Sequence, residues 1–190
     1  MPITSQAHLR PLRDDDAEEI LDAFQSGPEG MSRQGDVVDD ESARRYIQRF
    51  ADNAAMDAAV VANTNTGQLL GLVTVMRDGT NRSGWFAYWM HPRSRGRGLA
   101  TRAALAMASS ELTDGGLERL ELGHRANNPA SGAVARGAGF ILEGVPRQVV
   151  GRISLVLNVG VVGSARPRCT SLGRFHEMAS WGRSSLYSIR

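Results

Sequence analysis

Apolar and polar positions along the chain change period several times, and each change marks an element. Ala7–Leu12 predicts a short first strand. Asp14–Asp16 supply carboxylates suited to a helix start, and Ile20, Leu21 and Phe24 follow at helical spacing over 17–24. Ser26–Gly35, rich in Gly, Pro and Ser, reads as a loop. Asp39 or Asp40 is placed to cap a second helix reaching Asp52, with Tyr46, Ile47 and Phe50 on its apolar side. Three strands follow as a meander, Ala58–Ala62, Leu69–Met76 and Trp85–Met90, with turns at Asn63–Gly67 and Asp78-Gly79 and a stop at Pro92. Gly98–Leu112 predicts a helix closed by Gly115-Gly116, and Leu117–Leu122 a strand. Pro129 and Ala130 open a helix over Ser131–Ala138 that Gly139 ends, and Phe140–Val145 returns as a strand. The order β-α-α-β-β-β-α-β-α-β predicts a mixed α/β layered domain. Beyond Pro146 the pattern weakens: Val149–Gly163 carries β-branched residues and glycines, Ser164–Gly173 reads as a loop, and Phe175–Ile189 as a final strand or a tail.

Composition narrows the class. The 190 residues, 42% hydrophobic and 22% charged, suit one domain with its own core. No apolar stretch reaches the roughly 18–20 residues of a membrane span, and Met1–Arg13 has no basic-then-apolar signal, so a cytoplasmic protein with no membrane partner is expected. The single cysteine, Cys169, rules out an internal disulfide and a multi-cysteine zinc cluster, and no metal is expected. All 22 basic residues are arginine, which removes Schiff-base lysine chemistry. The net charge of +2 divides unevenly: residues 1–76 carry 6 Arg against 13 Asp and Glu, residues 77–190 carry 16 Arg against 7. A solvated mixed-charge surface accounts for this; a polyanion held by the basic part is the functional reading. No nucleic-acid recognition signature is legible, so nucleic acid is not an expected partner.

The segment richest in candidate chemistry is Trp89-Met90-His91-Pro92-Arg93-Ser94-Arg95-Gly96-Arg97-Gly98-Leu99-Ala100-Thr101, a strand, a basic glycine-containing loop and a helix start. Backbone amides in such a loop can face phosphate oxygens, the helix start adds its positive dipole end, and Gly96 and Gly98 allow close backbone approach. The loop lacks the Gly-Lys-Ser/Thr ending of a P-loop and the three-glycine dinucleotide fingerprint.

Arg93-Ser94-Arg95-Gly96-Arg97-Gly98 resembles the Gln/Arg-x-x-Gly-x-Gly/Ala signature of the GNAT superfamily of N-acetyltransferases. The flanking Tyr88–Pro92 and Leu99–Thr101 are similar to its RimJ/RimL-like branch. Downstream, Asn127-Asn128-Pro129-Ala130-Ser131 and Gly137-Ala138-Gly139-Phe140 resemble the family's Asn-x-x-Ser helix and following Gly-Phe strand, the likeness running from about His8 to Arg147. The resemblance implies a GNAT fold: a mixed, mostly antiparallel sheet with helices on both faces and two splayed central strands. It implies acetyl-CoA as cosubstrate and a primary amine, a protein N-terminus or a small amine, as acceptor, attacked directly in a ternary complex. Met90, His91, Arg93, Ser94, Arg95, Gly96, Arg97, Gly98, Leu99 and Ala100, with Asn128 and Ser131, would hold acetyl-CoA. An N–H near Met90 would serve as oxyanion donor. Ser131 is the candidate acid for the departing thiolate, with Asn128 beside it; capping of a helix by Asn128, and an ordinary first-turn role for Ser131, are the plain readings.

Two departures from the family stand out. Relatives carry Ala-Glu-Ile-Gly-Tyr-Trp where this chain has Gly84-Trp85-Phe86-Ala87-Tyr88-Trp89, so Trp85 replaces a Glu able to act as base. Glu121, His91 and His124 are the substitute bases, with deprotonation by bulk water as a further route. A non-catalytic acyl-CoA-binding or sensor module, with Trp85 filling the acceptor space, is the alternative function. The other departure is the end of the chain. The domain is expected over residues 7–150 and an atypical extension over 151–190, because Gly173–Ala179 resembles the start of the family's last strand but Gly151–Leu172 intervene. An insertion, an altered reading frame or a replaced end would each give this pattern. A monomer or a homodimer fits equally. The acidic N-terminal helices, which border the acceptor site in this fold, suit a cationic acceptor.

Overall fold

A computed structural model describes residues 2–4, 6–144 and 152–158. Its strands are β1 (Pro2–Thr4), β2 (Ala7–Pro11), β3 (Met56–Asn63), β4 (Leu69–Asp78), β5 (Ser83–Met90), β6 (Arg119–Arg125), β7 (Ile141–Gly144) and β8 (Arg152–Asn158). They form one sheet in the order β1-β2-β3-β4-β5-β6-β8-β7. Every neighbouring pair is antiparallel except β5–β6, which is parallel. The helices are α1 (Ala17–Ser26), α2 (Pro28–Met31), α3 (Asp40–Ala51), α4 (Leu99–Thr113) and α5 (Pro129–Gly137).

Strand alternation divides the core into two layers. Phe86 and Met90 of β5 join Leu120 and Leu122 of β6 beneath Leu99, Ala103 and Met107 of α4 and Ala135 of α5. Trp89, on the opposite face of β5, joins Val60 and Leu72 beneath Ile20, Phe24, Met31, Tyr46 and Ile47 of α1–α3. The Trp89 indole N–H donates to the Tyr46 hydroxyl at 3.0 Å, tying α3 to β5. Asp39 caps α3: its Oδ1 accepts from the Ser42 amide at 2.8 Å while Ser42 Oγ accepts from the Asp39 amide at 2.9 Å.

The decisive feature for function is where β5 and β6 stop pairing. Ser83–Phe86 run in register with Arg119–Leu122 and the pairing ends there. Beyond it β5 continues on β4 to Met90, and β6 continues on β8 to Arg125, so the strands part in a V. The splayed mixed sheet with helices on both faces is the expected architecture.

One expectation is corrected, and one strand lies in the segment expected as an extension. The predicted loop Ser26–Gly35 contains α2, because Pro28 at the first helical position is pre-set for a helix start and Met31, 1% exposed, is drawn into the core. The strand Arg152–Asn158 lies past the boundary expected at residue 150, yet it is paired on both sides, with β6 and with β7. Leu155 and Val156, neighbours on opposite faces, are both buried, so the strand is covered on both faces there and the apolar run Leu155–Leu157 shows no alternation. The strand expected over Phe175–Ile189, the likeness at Gly173–Ala179, and Cys169 lie outside the described residues.

Candidate active site

The V opens into a cleft of about 1290 Å³. It is walled by β5 from Trp85 to Met90, the end of β6, the loop Ser94–Gly98, the first turn of α4, the start of α5, and Gly30, Met31, Arg33 and Gln34 around the end of α2. His91 donates its amide to the Leu70 carbonyl at 2.9 Å. Antiparallel alternation then turns the N–H groups of Tyr88 and Met90 away from β4 and into the V, where β6 has diverged. The inner edge of β5 therefore offers backbone donors to a ligand.

The loop leading from β5 supplies a second set. Pro92–Ser94 forms a 3-10 turn, then Gly96 and Gly98 take φ of +74° and +70°. A Cβ at either glycine would meet nothing within 4 Å, so it is the left-handed backbone angle, not contact within the chain, that calls for glycine. Gly98 caps α4 with no side-chain hydrogen bond, and no acidic residue stands in the first turn. The first amides of a 15-residue helix are thus left for an anion. Ser94, 2% exposed, has a buried Oγ with no hydrogen-bond partner among the described residues. A buried hydroxyl without a partner beside uncapped amides fits a phosphate-bearing ligand such as CoA.

Across the V, Ser131 of α5 and Tyr88 of β5 meet, their hydroxyl oxygens 2.8 Å apart. Burial holds the Tyr88 phenol above its ordinary range, against the opposing effect of the Ser131 contact, so it stays protonated at neutral pH. Asn128 caps α5, its Oδ1 accepting from the Ser131 amide at 3.1 Å. The sequence singled out Asn128 and Ser131, and against Ser131 the structure sets Tyr88, a residue whose only signal was its place on the same face of β5 as Met90.

The candidate bases separate by geometry. Glu121 lies outside the cleft, bound to Arg119 Nε at 2.9 Å. His91 is 1% exposed with both ring nitrogens engaged: Nε2 donates to Asp22 Oδ2 at 3.0 Å and Nδ1 accepts from the Arg93 amide. Burial first, then the Arg93 charge, pushes the His91 pKa below its ordinary value. With Arg93, which also binds Asp22 at 2.9 Å, His91 fastens the loop to α1 and does not line the cleft. His124 does line it. Its Nδ1–H donates to the Arg125 carbonyl at 2.8 Å, so Nε2 is the other ring nitrogen, and it lies against Gly132 of α5.

Of the other expected cofactor contacts, Gly96, Arg97, Gly98, Leu99 and Ala100 line the cleft, and Arg97 reaches Gln6 Oε1 at 2.9 Å. The Arg95 side chain leaves the loop for the opposite layer. Its Nε donates to the Met90 carbonyl at 3.1 Å, and an Nη lies 3.4 Å from where a Gly30 Cβ would stand. No group of metal-ligating side chains occurs among the described residues.

Comparison with known proteins meets this geometry. A ribosomal-protein-serine acetyltransferase of Escherichia coli (strain K12) is 32% identical over 82 residues, 43% of this chain and 46% of that one, so the matched segment spans about half of the relative. Two solved structures share the fold. One is the microcin C7 self-immunity acetyltransferase MccE in complex with acetyl-CoA and AMP, with TM-score 0.73 and 18% identity over 82% of this chain and 94% of that one. The other is the spermidine N-acetyltransferase of Vibrio cholerae in complex with CoA and spermine, with TM-score 0.72 and 19% identity over 84% and 99%. The acetyltransferase (GNAT) domain model matches residues 7–141, which run from the first residue of β2 through the splayed strands and the glycine loop to the first of β7, and the chain belongs to that family.

Proposed function

We propose that the chain is an acetyl-CoA-dependent N-acetyltransferase that transfers acetyl to a primary amine, a protein N-terminus or a small amine, by direct attack in a ternary complex. One observation carries the reading: the unpaired inner edge of β5 ends at an uncapped helix N-terminus within the same cleft. The edge suits an extended pantetheine arm added like a strand, and the amides from Arg95 to Ala100, with Ser94 Oγ, suit the pyrophosphate. Bound acetyl-CoA supplies an activated thioester. The Met90 N–H, directed into the V, is placed to donate to the thioester oxygen as negative charge develops. Ser131, its hydroxyl held by Tyr88, is placed to give a proton to the departing sulfur. The acceptor ammonium must lose a proton first. Among the described residues His124 is the imidazole that lines the cleft, and no described carboxylate lines it.

Trp85 favours this reading over a sensor. It is 40% exposed in the wall of an open cleft rather than driven into the V. The test is calorimetric binding of acetyl-CoA together with thiol release over a panel of primary amines. Acetyl-CoA should bind, at least one amine should be acetylated, and Ser131→Ala should lower kcat by about tenfold with little change in KM, at the low end for an acid because CoA leaves readily. Tight binding with no thiol released by any amine would instead establish the sensor.

A further inference from the structure

The charges of the cleft have one sign. Among the described residues its charged lining side chains are Arg33, Arg95, Arg97 and Arg125, with no Asp or Glu. None of these four is ion-paired with a carboxylate among the described residues, whereas the ion-paired arginines, Arg10, Arg77 and Arg119 among them, all lie outside the cleft. The many carboxylates of α1 and α3 do not reach it, although their number in the sequence pointed to a cationic acceptor.

The four arginines divide between the two ends of the cleft. Arg97 belongs to the phosphate loop, beside α4. Arg33 follows α2, whose Met31 is packed into the opposite layer, with α1 and α3. Arg95 sends its guanidinium to that same layer, against Gly30. Arg125 ends β6 one position after buried His124, so alternation turns it to the α1–α3 side. Trp85 and Ala87 line the cleft from that same face of β5. Arg33 and Arg125, with the Arg95 side chain directed to the same layer, therefore line the α1–α3 side of the cleft, which also carries an indole, and none of the three has a carboxylate partner among the described residues.

We infer that the acceptor is an amine whose own body carries a carboxylate or a phosphate. This inference rests on the acetyltransferase reading and names its substrate class. Guanidinium forks bind both groups in a bidentate manner, and a mouth of one sign concentrates ligands of the other. A polycationic amine would bring like charge to arginines that have no carboxylate partner among the described residues. The same arginines act on the nucleophile: nearby positive charge disfavours the ammonium form and lowers the amine pKa. Attack then needs less from a base, in a cleft that has lost the carboxylate which Trp85 replaces.

The experiment compares matched amines: L-phenylalanine against L-phenylalanine amide, O-phosphoethanolamine against ethanolamine, and spermidine. Each is titrated calorimetrically into the chain, alone and saturated with CoA, and each is assayed for acetyl transfer. The anionic member of at least one pair should bind at least tenfold tighter and show the higher kcat/KM, with spermidine weakest; the pair with the larger ratio distinguishes a carboxylate from a phosphate. Arg33→Gln and Arg125→Gln should each erase most of that ratio and leave acetyl-CoA affinity unchanged. Spermidine binding as well as the anionic amines, or a ratio untouched in both variants, overturns the inference. Selective binding of the anionic amine without acetyl transfer would sustain it while refuting the acetyltransferase reading.

Discussion

Gly98 answers two demands at once, since it turns the chain at φ +70° and opens α4 without a side chain over its first amides. Gly98→Val should therefore weaken acetyl-CoA binding by at least tenfold, about 1.4 kcal/mol, read by calorimetry. The forced left-handed valine should also destabilise the fold by about 1–3 kcal/mol. Arg97→Ala should cost less affinity, because that side chain is exposed on Gln6 and solvent screens its charge while the amides remain. If the valine variant folds and binds like the parent, the loop does not seat the pyrophosphate. The helix-start positions of Gly98, Asn128 and Ser131 were legible because they depend on near neighbours in sequence. The roles of His91 and Tyr88 were not: Asp22 and Ser131, which fix them, stand far away along the chain.

At the scale of elements, Asp16 shows how a local reading can be correct and incomplete. The run Asp14–Asp16 does begin a helical segment, yet Asp16 is 2% exposed and takes two bonds from the Arg10 guanidinium, at 2.8 and 2.5 Å. Arg10 also donates to the Gly67 carbonyl at 2.9 Å. One ion pair thus joins β2, the entry to α1 and the β3–β4 turn. Asp16→Asn leaves that guanidinium buried without its counter-charge and should cost about 3–5 kcal/mol. Chemical denaturation should show a lower midpoint with an unchanged slope; a midpoint equal to the parent's would mean that solvent reaches Arg10. The helix and strand periods located most elements within a few residues. They missed β1 and α2, too short to show a period, and left β8 undefined, its Leu155–Leu157 run having no alternation.

At the scale of the whole molecule, Glu111 couples pH to stability. It projects from α4 onto Arg77 of β4, its Oε2 2.6 Å from the guanidinium, which also binds Asp57 of β3 at 2.7 Å and the Gly115 carbonyl. Burial first, then the charge of Asp57, raises its pKa from 4.5 to about 7 against the pull of Arg77. The folded chain therefore holds this proton more tightly than the unfolded chain. The resulting stability is fully present below about pH 4.5 and is lost as pH rises to about 7. Melting temperature should decline across that window, and Glu111→Gln, which cannot ionise, should flatten the decline. An equal decline in the variant would assign it to other groups.

By itself the sequence determined the order of most elements, the glycine loop before α4 and the family, because periodicity, turn chemistry and a compact motif are properties of neighbouring residues. The tertiary structure decided what depends on residues brought together from a distance. It parted β5 from β6, put Tyr88 against Ser131, and withdrew His91 and Glu121 into structural bonds. It also set the charge of the cleft lining. The acidic count of residues 1–76 belongs to surfaces outside the cleft, while arginines from three separate segments converge on its rim, and a summed charge along the chain carries no information about which side chains face the same space.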